Sequence, residues 1–295
     1  MCLQKITKET TLLIMAKCDL GKVIIDGLKL CYTAKHTLLN ELSEVKIGFT
    51  TKYGDFLLFR YHAKKYKCAF NVLYENTVIG QLEFGHYTEK ELSSFVYFRF
   101  ENEILYNKTM FDLALNFPCV LNMLFHHITY IDLAKDFKYD IVKRVRKIAK
   151  DKSTTIIVNR KTIDKTKDIS DGMFIFPLNF SKLSNPTISV KQAKAMNDKS
   201  QGLTLCLYNK KKEIENKSHK LYINEFYGYP KSLHRLEVHQ NNQEIKDFCK
   251  TNNIVQEISL LANTHFLESM YYFHIQSLLR FTRKRKRLEW KDILQ

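Results

Sequence analysis

Short runs of apolar and β-branched residues, many of them alternating with polar ones, recur through the first hundred positions. Runs of this kind bounded by turn residues predict strands. They fall at 23–32, 45–50, 56–61, 66–73, 77–84 and 94–100, with Gly54, Asp55 and Asn76 as turn residues and one helix at 36–43. A helix is expected over 109–124, interrupted near Pro118, whose ring removes a backbone donor. A strand at 127–133 opens the second part. In 139–150, Ile141, Val145 and Ile148 recur at helical spacing, and Lys143, Arg144, Arg146, Lys147 and Lys150 take the other faces. Residues 154–159 read as a β-branched strand. The stretch 160–201 is polar, charge-rich and holds two of the four prolines, so long loops are expected around one strand at 173–176. Strands follow at 203–208 and 233–240, a charged helix or turn at 209–218, and helices at 242–250 and 255–281.

This mixture, with no fixed-period repeat, predicts an α+β fold. Antiparallel or mixed sheets are expected in two related lobes with packed helices and a helical C-terminus. The expected boundary separates a β-rich N-terminal lobe, 1–124, from a lobe at 125–295 that carries the candidate chemistry and a basic C-terminus. No Gly/Ser linker marks it.

Composition narrows the function. Of 295 residues 45% are hydrophobic and 13% aromatic, which supports a sizeable core and excludes general disorder. Lys and Arg number 47 against 31 Asp and Glu, a net charge of +16, which favours a polyanionic partner or a membrane surface. No apolar run reaches the length of a bilayer span. Only 9 glycines are present and no phosphate-cradling loop, so an ATP-driven helicase or P-loop kinase is not expected. Seven cysteines, at 2, 18, 31, 68, 119, 206 and 249, are scattered and never paired as C-x-x-C. That argues against a disulfide framework and a zinc site of regular spacing. The apolar stretch at 11–16 is too short for a signal peptide, and a reducing, cytoplasmic location is expected.

Three strands carry polar groups where a plain core strand would not. In Ile128–Asp136, Asp132 points opposite to Ile131 and Leu133. A carboxylate in an apolar strand needs a partner, either a divalent metal or, at a strand end, a turn to cap. In Leu203–Lys210, the residues Thr204, Cys206, Tyr208 and Lys210 share one face, so Tyr208 is a packing residue or a nucleophile beside a lysine. In Leu233–His239, the residues Arg235, Glu237 and His239 share one face. That row suits a metal and a phosphate, or else a solvated salt-bridge row on an edge strand.

In order and in separation, the motifs Ile-Asp-Leu-Ala-Lys-Asp ending at Asp136, Leu-Tyr-Asn-Lys-Lys-Lys-Glu ending at Glu213 and His-Arg-Leu-Glu-Val ending at Val238 resemble rolling-circle replication initiators. The likeness is to the Rep_trans group of plasmid initiators and the filamentous-phage gene II type. It covers about residues 22–285 and includes a first strand at Ile25-Asp-Gly-Leu-Lys-Leu. Tyr130 stands where the family has an arginine, and Asn209 where it often has an aspartate. The His-hydrophobe-His motif of the larger nickase group is absent, because His126 and His127 are adjacent.

The resemblance implies a metal-dependent nicking and joining enzyme. Tyr208 would be the nucleophile that forms a covalent 5′-phosphotyrosine, assisted by Lys210. Asp132 and Glu237 would hold Mg2+ or Mn2+, with Asp136 and Glu213 as helpers, and Arg235 would contact a DNA phosphate. Its partners would be origin DNA, single-stranded or hairpin, with host helicase and polymerase, in the cytoplasm of a bacterial host; no membrane is implied, and a homodimer is compatible. The alternatives are a non-catalytic DNA-binding replication protein and a relaxase for plasmid mobilisation. The run Arg283, Lys284, Arg285, Lys286 and Arg287 adds a candidate DNA contact, and Trp290 either stacks on a base or packs on the body.

Overall fold

The computed structural model describes residues 20–164, 187–192 and 202–295. The chain begins with β1 (Val23–Thr33), α1 (His36–Glu44), β2 (Thr50–Tyr53), β3 (Phe56–Tyr61), β4 (Tyr66–Tyr74), β5 (Thr77–His86) and β6 (Phe95–Phe100). A 3-10 turn (Glu103–Tyr106) leads into α2 (Lys108–Val120), β7 (Leu124–Phe137), α3 (Ile141–Lys150), β8 (Thr154–Val158), β9 (Lys161–Thr162) and β10 (Ile188–Lys191). Next come β11 (Thr204–Asn209), α4 (Lys210–Glu213), a π turn (Ile214–Ser218), α5 (Leu221–Phe226), β12 (His234–Asn241) and α6 (Asn242–Thr251). The last elements are a 3-10 turn (Ile258–Ala262), α7 (Thr264–Leu278), β13 (Leu279–Arg283), β14 (Lys286–Leu288) and α8 (Trp290–Ile293).

The fold is α+β. A large antiparallel sheet of ten strands runs β10-β11-β12-β7-β1-β6-β5-β4-β3-β2, and a small one runs β14-β13-β8-β9. Residue 124, the expected lobe boundary, is the first of β7, which pairs with β1 on one side and β12 on the other. One face of the large sheet is apolar: Leu28 and Leu30 on β1, Phe98 on β6, Leu133 on β7, Leu236 and Val238 on β12, and Leu205 and Leu207 on β11 are all fully buried. Phe117 of α2, Val145 of α3 and Ile275 of α7 belong to the same core.

Most strands expected from alternation are present, and the departures have local causes. The strand expected at 45–50 does not form over 45–49, which is a turn; β2 starts only at Thr50 and makes a hairpin with β3 turned by Gly54 at φ 55°. The strand expected at 127–133 lengthens to Leu124–Phe137 because it is gripped by pairing on both edges. The strand expected at 173–176 lies outside the described residues, whereas β10 forms within the stretch read as loops. The helix expected at 255–281 is shorter. Asn263 starts α7 by accepting the Phe266 N–H at 3.0 Å, and after Leu278 the chain pairs with β8 instead. The basic run thereby becomes the tip of the β13–β14 hairpin, with Lys284 (φ 48°) and Arg285 (φ 64°) as its left-handed turn residues. The C-terminus is only partly helical.

His274 on α7 is 2% exposed and sits against Phe248 and Phe273. Burial pushes its imidazole down to about 3. A depressed folded value means that the unfolded chain takes the proton first. Stability is therefore full above the ordinary histidine range and is lost as pH falls from there towards 3. Between about pH 7 and pH 5 this group alone should cost about 2 kcal/mol. Urea unfolding of His274→Leu should lose correspondingly less over that interval than wild type; an equal loss would place the acid sensitivity elsewhere.

Candidate active site on the open face of the large sheet

The register of the three adjacent strands β11, β12 and β7 builds the site. Arg235 lies between Tyr208 and Asp136, Glu237 between Cys206 and Ala134, and His239 between Thr204 and Asp132. Side chains alternate across a sheet. Arg235, Tyr208, Asp136, Glu237, His239 and Asp132 therefore emerge on the face opposite the buried leucines. β1 adds a seventh. Its pairing with β7 slips between Ile25 and Gly27, and the extra residue, Asp26, turns onto this face. A Cβ at Gly27 would run into the Asp132 carboxylate, so the absence of a side chain there is what lets Asp132 lie across β1.

Arg235 occupies the centre and is fully buried. Its Nε and Nη2 donate to the two oxygens of Asp136 at 2.7 and 2.6 Å. Its Nη1 meets Asp26 at 2.7 Å, and Nη2 also donates to the Tyr106 hydroxyl at 2.9 Å. Tyr106, from the 3-10 turn before α2, in turn donates to Asp26. Burial alone would raise Asp26, but the charges of Arg235 and Lys210 and the bonds from Tyr106 and Arg235 hold it well below the usual carboxylate range.

Tyr208 stands at the end of β11 and donates to Glu237 Oε2 at 2.7 Å. Burial, together with the Glu237 charge, pushes its phenol well above 10. Glu237 is pushed up as well, by burial and by the charges of Asp26 and Asp132, against the pull of Arg235 and the Tyr208 bond. Asn209 follows Tyr208 and caps α4 by accepting the Lys212 N–H at 2.9 Å. The cap fixes Lys210, whose ammonium is 2.9 Å from Glu213 and 5.6 Å from the centre of the Tyr208 ring. Burial, with the Arg235 charge, lowers Lys210 against the opposing pull of Asp26 and Glu213. Next to Glu237 on the same strand, His239 holds Asp132 through its Nδ1. Burial lowers that imidazole, but the bond and charge of Asp132 raise it further, for a net rise.

The site thus gathers Tyr208, Lys210, Asp132, Asp136, Glu237 and Arg235. Three of the expected site residues are held in ion pairs. Arg235 is sealed inside and engaged by Asp136, Asp26 and Tyr106, so it organises carboxylates and has no surface for a DNA phosphate. Asp136 is fully buried, and both its oxygens accept from Arg235. Glu213 is taken up by Lys210. Asp132 and Glu237 have side chains 21% and 24% exposed. These two suit Mg2+ or Mn2+, ions that favour oxygen ligands and commonly take one or two carboxylates together with water and phosphate.

Asp26 and Tyr106 are site residues that motif spacing missed; the polar Asp26 inside an apolar run was the available signal. Also missed was a Cys/His group on β1 and β7. Among the described residues, Cys31, His126 and His127 present ligand atoms that all lie within 4.8 Å of one another. At the C-terminus, Arg283 pairs with Asp151 at 2.9 Å and Arg287 with Glu289 at 3.2 Å, while Lys284, Arg285 and Lys286 are exposed at the hairpin tip. Trp290 is buried, donating its Nε1–H to Leu279 O at 2.8 Å, so it packs on the body.

No family model matches the sequence, and no curated protein matches it. Among solved structures, the chain is similar to a rolling circle replication initiator protein from Geobacillus stearothermophilus. The TM-score is 0.47 at 12% identity, covering 92% of this chain and 95% of that one. No helix among the described residues is long and apolar enough to cross a membrane.

Removing Arg235 would strand Asp136 and Asp26 without a counter-charge. Arg235→Met should therefore cost about 3–5 kcal/mol in urea unfolding at neutral pH. A loss below about 1 kcal/mol, as expected of a surface phosphate contact, would contradict the structural role.

Proposed function

We propose that the chain is a rolling-circle replication initiator that nicks and rejoins origin DNA through a covalent phosphotyrosine at Tyr208. The observation that carries this reading is the Tyr208–Glu237 hydrogen bond of 2.7 Å, set beside Asp132 on an open sheet face. A phenol needs a base to become a nucleophile near neutral pH. Glu237 already accepts its hydrogen bond, and its raised carboxyl is a better proton acceptor than an ordinary glutamate. Tyr208 Oη attacks the phosphorus, its proton passes to Glu237, the bond from phosphorus to the 3′ oxygen breaks, and that oxygen takes a proton from solvent. The products are a 5′-phosphotyrosine and a free 3′-OH. Rejoining is the reverse, one phosphodiester for another, and needs no nucleotide hydrolysis. The lysine beside the ring, Lys210, favours the phenolate. Asp132 and Glu237 would hold Mg2+ or Mn2+, which would supply positive charge against the developing charge of the phosphodiester.

The same face continues outward from the site. Tyr130, Lys29, Arg99 and Gln81 lie side by side across β7, β1, β6 and β5. Lys29 Nζ is 5.1 Å from the ring centres of both Tyr66 and Tyr97, and Lys64 and Lys65 line the adjoining groove. Cations interleaved with tyrosines suit a single strand, whose phosphates need charge and whose bases stack.

Tyr208→Phe should abolish the protein–DNA adduct on circular single-stranded origin DNA while costing only about 1 kcal/mol of stability and leaving affinity near wild type. Glu237→Gln, which keeps the shape but not the base, should slow nicking by about 10²–10⁴-fold. Adduct formation by the Phe variant would move the nucleophile to another tyrosine. A wild-type protein that binds but never forms an adduct under any metal would favour the non-catalytic reading.

Two of the five cations in the basic run are paired, so the three at the tip should carry the hairpin's contribution to binding. Alanine at Lys284, Arg285 and Lys286 together should reduce the slope of log K against log salt by about 2–3. An unchanged slope would remove the hairpin from the DNA interface.

A further inference from the structure

We propose that Cys31, His126 and His127 form a binding site for a thiophilic divalent ion of the zinc class. It is separate from the Tyr208 cluster and does not rest on the DNA reading: on β7 His127 lies about 17 Å along the strand from Asp132.

The backbone makes the site. In a regular strand, consecutive residues point to opposite faces, so His126 and His127 could not share a ligand. Here the β1–β7 ladder slips. Cys31 pairs with His127 and Tyr32 with Phe125, which leaves His126 as the extra residue of a bulge. Bulges re-aim side chains. As a result the two Nδ1 atoms approach to 2.6 Å, beside the Cys31 thiol on the neighbouring strand. Two lone pairs or two N–H groups cannot face each other at that distance. Either a proton is held between the rings, or a cation takes both lone pairs as the rings ease apart.

The donor set is chemically matched. One thiolate and two imidazoles are soft to borderline ligands that favour Zn2+ over Mg2+ or Mn2+. Three protein ligands leave a fourth position of the tetrahedron for water. Cys31 is fully buried, and burial pushes its thiol up to about 12 against the pull of Lys29. The thiol's hydrogen bond to Tyr32 O is long, 3.8 Å. When the ion binds, the sulfur's electron pair goes to zinc, the thiol proton goes to solvent, and no redox partner is needed. His126 is exposed and gives the ion its route in.

The test uses the full chain, stripped with a chelator and kept reduced. Zinc content after dialysis should be one ion per chain, and Co2+ should give a thiolate-to-metal charge-transfer band in the near ultraviolet. Zn2+ at about a hundred times its Kd should raise the thermal midpoint by about 5 °C or more. Excess Mg2+ should not displace it. Cys31→Ser should lose the band and the bound ion. His126→Ala, at an exposed position that the fold tolerates, should lose the bound ion even if the cysteine variant does not fold. Cys119→Ser, at an exposed position off the site, should keep both. A cobalt spectrum without a thiolate band, or zinc retained at wild-type stoichiometry by His126→Ala, would overturn the site.

Discussion

A fully buried guanidinium shared by two carboxylates organises the centre of the large sheet. Taking charges out of water costs several kcal/mol each, which only close geometry and complete hydrogen bonding offset. Arg235 has the close geometry, through the forked pair to Asp136 on β7, the ion pair to Asp26 on β1 and the bond to Tyr106 before α2. One side chain of β12 thus fixes the relative positions of two neighbouring strands and a turn. An apolar residue there would leave those acids to repel one another.

That arrangement also separates the carboxylates by role. Asp26, against Arg235 and Lys210, is held ionised despite its burial. Glu237 is more distant from the guanidinium, at 4.0 Å, faces the charges of Asp26 and Asp132, and is pushed the other way. Neighbouring acids driven apart in this manner divide the work between a fixed charge and a proton acceptor. The phenol of Tyr208 is bonded to the acid of the second kind.

The two faces of the sheet have different tasks. The inner face is leucine, isoleucine, valine and phenylalanine packed under α2, α3 and α7. The outer face carries tyrosines, cations and the carboxylate cluster, with α5 and the turn at Tyr106 closing one side through the Tyr106–Tyr222 and Tyr106–Phe226 ring contacts.

Alternation along the strands was enough to read most of β1, β3–β6, β11 and β12, because each has one face in the core and a period of two survives in the sequence. The same alternation put Asp132, Tyr208, Arg235 and Glu237 on polar faces before any neighbour was known. It could not say which strands are adjacent. Arg235 and Asp136 are 99 residues apart, and only the β7–β12 register turns a plausible phosphate contact into an internal ion pair. Asp26 and the His126–His127 pair depend on slips in the β1–β7 ladder, which a period-two pattern does not record. The basic run reads only as a charged stretch beyond a helix, and becomes a hairpin only because β8 offers an edge to pair with. What the chain determined locally was the apolar or polar side of each strand; burial, partners and charge state came from contacts between distant segments, where desolvation decides which charges stay and which protons move.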